Sequence, residues 1–161
     1  MKGVFLRREV LADELARYRD ERTLGTVVLA NGCFDLLHAG HVRYLEDAGS
    51  RGDVLVVALN SDASVTRLKG EGRPLLPLEA RAELVGALRC VDFVTSFDET
   101  DLEATLRVLR PEVHAKGGDY TAETVPERGV DDELGIEIAI CGGPKQGSTT
   151  NLLGRLRSSE G

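Results

Sequence analysis

The sequence predicts an α/β chain: a Rossmann-like, doubly wound parallel sheet of about five strands with helices on both faces. Three observations carry this. Runs such as residues 26–30 and 53–59 are apolar nearly throughout instead of alternating, as in strands buried on both faces. Stretches with apolar residues at helical spacing lie between them. Polar, glycine-bearing clusters follow the strands, where sheets of this class bind ligands.

Residues 8–22 form the first helix, with Leu11, Leu15 and Tyr18 at i, i+4 and i+7. Residues 26–30 are the first strand. Residues 40–49 are helical, with Val42, Leu45 and Ala48 on one face. Residues 53–59 are the second strand, and 60–68 a short helix capped near Ser61 or Asp62. A loop rich in Gly and Pro spans 70–77, and a helix follows over 78–88. Residues 91–95 are the third strand. A helix over 99–109 is ended by Pro111. Residues 113–116 and 136–140 are two more strands, and the chain closes with a helix over 148–157. Residues 121–132 have no clear pattern. Residues 1–23 read as an N-terminal helical extension, and 24–161 as the main domain.

A length of 161 residues fits one compact domain. No apolar run approaches the ~20 residues of a membrane span, and the start lacks a signal-peptide core, so no membrane partner is expected. Cys33, Cys90 and Cys141 are odd in number and form no CxxC, so they read as reduced thiols of a cytoplasmic protein. A net charge of −7 argues against general nucleic-acid binding and makes local basic clusters informative.

The first cluster is "ANGCFDLLHAGHVRYL", residues 30–45. Cys33, His38 and His41 could ligate zinc, but their spacing matches none of the usual zinc patterns. Histidines that merely decorate a helix start would leave Asn31, Gly32 and Gly40 unexplained. A phosphate site uses them all: glycines permit close approach, and a helix N-terminus offers free N–H groups and a positive dipole end. Neither GxxxxGK[ST] nor GxGxxG follows a strand, so the phosphates would be held by a different device.

Arg67, Lys69 and Arg73, with Gly70 and Gly72 between, form a second cluster: a solvated loop, or one that closes over a triphosphate. Lys116-Gly117-Gly118-Asp119-Tyr120 is an ordinary turn or a close backbone approach to a flat base. Ser148-Thr149-Thr150 exceeds what a single N-cap requires and suits a second helix start aimed at phosphate.

His38-Ala39-Gly40-His41 resembles the HxGH signature of the nucleotidyltransferase superfamily, and Ser148-Thr149-Thr150 resembles its second signature. "NSDASVTRLKGEGRPLLPLEAR" and "KGGDY" are similar to the adenylyltransferases that act on D-glycero-β-D-manno-heptose 1-phosphate. The likeness runs from about residue 24 to 157, which makes 24–161 a nucleotidyltransferase domain. It departs at Gly147, which directly precedes Ser148 where that branch has one residue between, and over 121–132. Bifunctional members carry a sugar kinase domain ahead of this one, and the resemblance implies a stand-alone form here.

The resemblance implies transfer of AMP from ATP to the sugar 1-phosphate, giving ADP-heptose, a lipopolysaccharide precursor, and pyrophosphate. The rival is a cytidylyltransferase acting with CTP on glycerol 3-phosphate or a related phosphate. His38, His41 and Lys69 would be catalytic donors, His41 and Lys69 foremost. Asn31, Gly32, Cys33, Phe34, Gly40, Lys116, Gly118, Asp119, Ser148, Thr149 and Thr150 would bind the nucleotide. Asp35 would face the sugar phosphate or a metal, or cap a helix; Arg73 and Arg81 would hold the substrate phosphate or be surface pairs. Mg²⁺ would enter mainly on the ATP phosphates. The chain would be a homodimer.

Overall fold

The structure, a computed structural model, describes residues 2–21, 25–144 and 149–159. The strands are β1 (Val4–Phe5), β2 (Val27–Gly32), β3 (Val54–Asn60), β4 (Phe93–Phe97), β5 (Val113–Gly117) and β6 (Glu137–Cys141). The helices are α1 (Arg8–Asp20), α2 (Ala39–Gly49), α3 (Asp62–Lys69), α4 (Leu78–Gly86), α5 (Glu103–Leu109), α6 (Arg128–Leu134) and α7 (Thr149–Ser159). The strands form one parallel sheet in the order β1-β4-β3-β2-β5-β6.

The apolar runs become central strands because both of their faces are covered. In β2, Val28 and Ala30 point to one core with Leu45, Ala48, Val85 and Val94. Val27 and Leu29 point to the other with Leu11, Leu15, Leu106 and Leu109. Each buried Val or Leu side chain among them contributes ~1.5–3 kcal/mol relative to exposure, so a polar substitution in β2 would be opposed from two sides.

The predicted fold class is the observed one, with local differences, among them a helix predicted over 99–109 that begins only at Glu103. The sixth strand, β1, pairs Val4 with Phe93 and Phe5 with Val94. Two residues are too few to show a strand period. Through β1 and α1, residues 4–20 are built into the same sheet and core as the rest. The third predicted strand begins two residues late, because Val91 closes a turn on the Leu88 carbonyl and Asp92 turns its carboxylate to the Leu55 amide (2.9 Å). The patternless segment runs into α6, whose "RGVDDEL" is held by buried Val130 and Asp131 and not by an apolar stripe.

The chain runs from β2 outward through β3 to β4, then returns to the other side of β2 as β5. Strand order therefore reverses between β2 and β5, and the crevice for a ligand opens at their C-terminal ends.

Candidate active site

A cavity of 590 Å³ opens at the C-terminal ends of β2, β3, β4 and β5, within the ~300–1,000 Å³ usual for small-molecule sites. Its wall includes Asn31, Gly32, Cys33, Phe34, His41 and Lys69; across the switch point lie Lys116 and Asp119.

The β2–α2 turn positions the histidines. Phe34 adopts φ 47°, a left-handed conformation uncommon for a bulky residue, which turns the chain sharply out of β2. Its buried ring lies 5.0 Å from that of His41. The same ring explains Gly32: a Cβ there would meet Phe34 at 2.9 Å. His38 is the N-cap of α2 in an extended conformation, so the two histidines do not share a helical turn. They stack instead, with ring centroids 3.8 Å apart.

Their hydrogen bonds assign the tautomers. The Gly40 amide donates to His38 Nδ1 (3.1 Å), and the His38 amide donates to His41 Nδ1 (3.3 Å). An Nδ1 that accepts carries no proton, so each neutral ring bears its proton on Nε2. This reciprocal cap satisfies two amides at the α2 N-terminus and makes each Nε2–H a donor. His41 lines the cavity. Gly40 serves here through its amide.

Asp35, 1% exposed, locks the neighbouring loop. It accepts from Arg73 Nε (2.7 Å) and from the amides of Leu75 (2.8 Å) and Leu76 (3.0 Å). Burial alone would raise its carboxyl, but those two amides and the guanidinium outweigh it and hold the group below the ordinary aspartate range. Both oxygens are thus engaged from within the chain. Arg81 is fully buried and donates to the carbonyls of Leu76 (3.0 Å), Cys33 (2.7 Å) and Asn60 (2.8 Å), and to Asp62 Oδ1 (2.7 Å). The sequence offered Arg73 and Arg81 as substrate-phosphate ligands or as surface pairs. Arg73 is instead committed to Asp35, and Arg81 is a clasp that ties the ends of β2 and β3 together beneath the cavity.

Lys69 ends α3, is exposed, and reaches the cavity rim. Gly70 and Gly72, at φ 96° and 79°, follow it in conformations that favour glycine. Cys33 lies on the wall with its thiol 3.7 Å from Asn60 Oδ1. Burial pushes that thiol up, against the lowering influence of Lys69 and Arg81. On the far side, Lys116 lies 4.7 Å from the centre of the Tyr120 ring and 3.5 Å from Asn31 Oδ1. Gly118 has a packing reason: a Cβ there would meet the Gly143 carbonyl oxygen at 2.2 Å. Thr149 and Thr150 open α7, while Ser148 lies outside the described residues. Among the described residues no three His, Cys, Asp or Glu side chains converge as a metal-ligand group.

A family model, Cytidylyltransferase-like, matches residues 29–143, a span that runs from within β2 to beyond β6 and includes the residues lining this cavity. The chain belongs to the cytidylyltransferase-like family. By family it is a nucleotidyltransferase. Bifunctional protein HldE of Syntrophotalea carbinolica is 47% identical over 150 residues, covering 92% of this chain and 30% of that protein. Bifunctional protein HldE of Geobacter sulfurreducens is 48% identical over 135 residues, covering 84% and 28%. The chain therefore spans just under a third of the curated relatives it matches. The crystal structure of the lipopolysaccharide core biosynthesis protein from Thermoplasma volcanium GSS1 superposes with a TM-score of 0.60 at 31% identity. That match covers 72% of this chain and 93% of the other.

For a cytidylyltransferase-like cavity, the sequence motifs supply one wall and miss part of the other. Asn60, Tyr44, Phe97, Thr100, Asp101, Tyr120 and Glu127 also line it. Asn60 could have been found as a polar residue closing an apolar strand. Tyr44 could not, because its hydroxyl donates to the Ala115 carbonyl (2.7 Å) across the fold. Glu127 sits in the segment without pattern.

Proposed function

We propose that this chain transfers AMP from ATP to D-glycero-β-D-manno-heptose 1-phosphate, giving ADP-heptose and pyrophosphate. The observation that carries the reading is the pair of stacked histidines at the α2 N-terminus, each with its Nδ1 accepting from a backbone amide and His41 lining the cavity. Donors fixed in advance are what a developing phosphate charge requires. The heptose assignment is supported by the identity to the HldE proteins, by "RLKGEGRP" and "KGGDY", and by the likeness to a lipopolysaccharide core biosynthesis protein.

In this mechanism a sugar-phosphate oxygen attacks the α-phosphorus of ATP in line. One P–O bond forms, and the bond to the pyrophosphate oxygen breaks. The nucleophile is already an anion, so no general base is needed. Catalysis rests on positioning and charge stabilisation. His38 and His41 donate to phosphate oxygens, and Lys69 reaches in from the rim. Asn31, Gly32, Cys33, Phe34, Lys116 and Asp119 surround the nucleotide, and the start of α7 at Thr149 and Thr150 supplies a second helix N-terminus. Arg81 and Asp35, with Arg73, act through the loops they hold.

The donor set fits Mg²⁺ carried in by the triphosphate: with Asp35 engaged by Arg73 and Glu127 beside Lys116, the cavity offers the carboxylates of Asp101 and Asp119, and among the described residues there is no closed cage. Those two side chains would hold the ion together with the phosphates. When bound, Mg²⁺ neutralises phosphate charge. A cytoplasmic setting belongs to the same proposal, since Cys33, Cys90 and Cys141 are all free thiols, as does the expected homodimer. The test is pyrophosphate release with ATP or CTP against a panel of sugar 1-phosphates and glycerol 3-phosphate. Release should require ATP and the heptose phosphate. Preference for CTP with glycerol 3-phosphate would overturn the assignment in favour of the cytidylyltransferase alternative.

A further inference from the structure

Two polar rungs join β5 to α6. The inner one is His114 Nδ1 with Asp131 Oδ2 (2.9 Å) and Oδ1 (3.1 Å), both side chains fully buried. The outer one is Lys116 Nζ with Glu127 Oε2 at 3.5 Å, the side chains 8% and 5% exposed. Backbone geometry sets the match. Two residues along a strand rise ~6.6 Å and four along a helix ~6 Å, so i and i+2 on β5 meet i and i+4 from the α6 N-cap. The inner rung is closed off in the core, whereas both members of the outer rung line the cavity.

Glu127 is fixed from a third direction, because its carboxylate also accepts the Leu102 amide (3.3 Å) just before α5. Its Oε2 has no hydrogen-bond partner. Lys116 is held only loosely, by the carboxylate and Asn31 Oδ1 at 3.5 Å each and by the Tyr120 ring. A buried ammonium whose contacts all sit at the outer limit of hydrogen bonding is poorly compensated for the water it has lost. It therefore gains from an anionic oxygen that enters the cavity.

We propose that Glu127 is a positioning residue that holds the Lys116 ammonium at the cavity wall for contact with the bound nucleoside triphosphate. This rests on the reading of the cavity as an ATP site. The inner rung seats α6 independently, so Glu127→Gln removes the charge while the amide oxygen still accepts from Leu102.

The test is a double-mutant cycle on affinity for α,β-methylene-ATP by titration calorimetry, with melting temperature recorded for each protein. Lys116→Met and Glu127→Gln should each weaken binding about tenfold, the size of one hydrogen bond to a charged group. The double variant should bind no more weakly than Lys116→Met alone, and Glu127→Asp should fall between Glu127→Gln and wild type. Each single variant leaves a buried charge without its partner and should melt lower than the wild type, so affinities are compared at a temperature where all four proteins are folded. Wild-type affinity in Glu127→Gln beside a weakened Lys116→Met overturns the positioning role, as do losses that multiply in the double variant. Wild-type affinity in Lys116→Met overturns the role together with the place of Lys116 in the site. Failure of the wild-type protein to bind the analogue overturns the ATP reading itself, and the positioning role with it.

Discussion

His41 and Lys69 reach the same cavity from different strand ends, one after β2 and one after β3, and each presents an N–H donor. His41→Ala and Lys69→Ala should each lower kcat by ~10²-fold or more, as loss of a charge-stabilising donor does. Circular dichroism spectra should remain those of the wild type; a variant retaining near wild-type turnover would remove that residue from the chemistry. Asp35 behaves differently, because its carboxyl is held below the ordinary range by the Leu75 and Leu76 amides and Arg73 against the effect of burial. A lowered folded pKa contributes stability above the unfolded value of ~3.9 that is lost as pH falls through the folded value. Melting temperature should thus fall below about pH 4 more steeply in the wild type than in Asp35→Asn, which should be the less stable of the two at pH 7. Parallel curves would show that the carboxylate contributes nothing through this linkage.

At the scale of elements, α6 was the hardest to foresee and is the most instructive. Its Asp131 stays in place through His114, seventeen residues earlier on β5, and no local periodicity reports such a pairing. Asp131→Ala strands the His114 Nδ1 in the core and should destabilise the protein by ~1–3 kcal/mol, measured by urea unfolding; an unchanged midpoint would contradict the rung. By contrast, β2, β3 and α2 were legible because burial on both faces writes itself as an apolar run and on one face as a stripe. The HxGH turn was legible as a motif, but its geometry was not. An extended N-cap and ring stacking bring the two histidines together, which three-residue spacing alone does not report. Arg81 was misread for a related reason: whether an arginine faces a ligand or three carbonyls depends on what the fold brings beneath it.

For the whole molecule, the reversal of strand order between β2 and β5 gathers residues as distant in sequence as Asn31 and Glu127 around one cavity. The cavity lining carries Lys69, Lys116 and His41 together with Asp35, Asp101, Asp119 and Glu127, and two of those carboxylates face basic partners, Asp35 on Arg73 and Glu127 beside Lys116. The family supplies nucleotidyl transfer, and turnover reads which nucleotide and which phosphate the cavity takes. The deciding measurement is kcat/KM for ATP and for CTP with D-glycero-β-D-manno-heptose 1-phosphate as acceptor, followed by pyrophosphate release and identification of the product. ATP should be favoured by ~10²-fold or more, a ratio in reach of a site that pairs buried polar groups with one base, and the product should be ADP-heptose. Equal or greater efficiency with CTP, or no turnover of the heptose phosphate while glycerol 3-phosphate reacts, would contradict it.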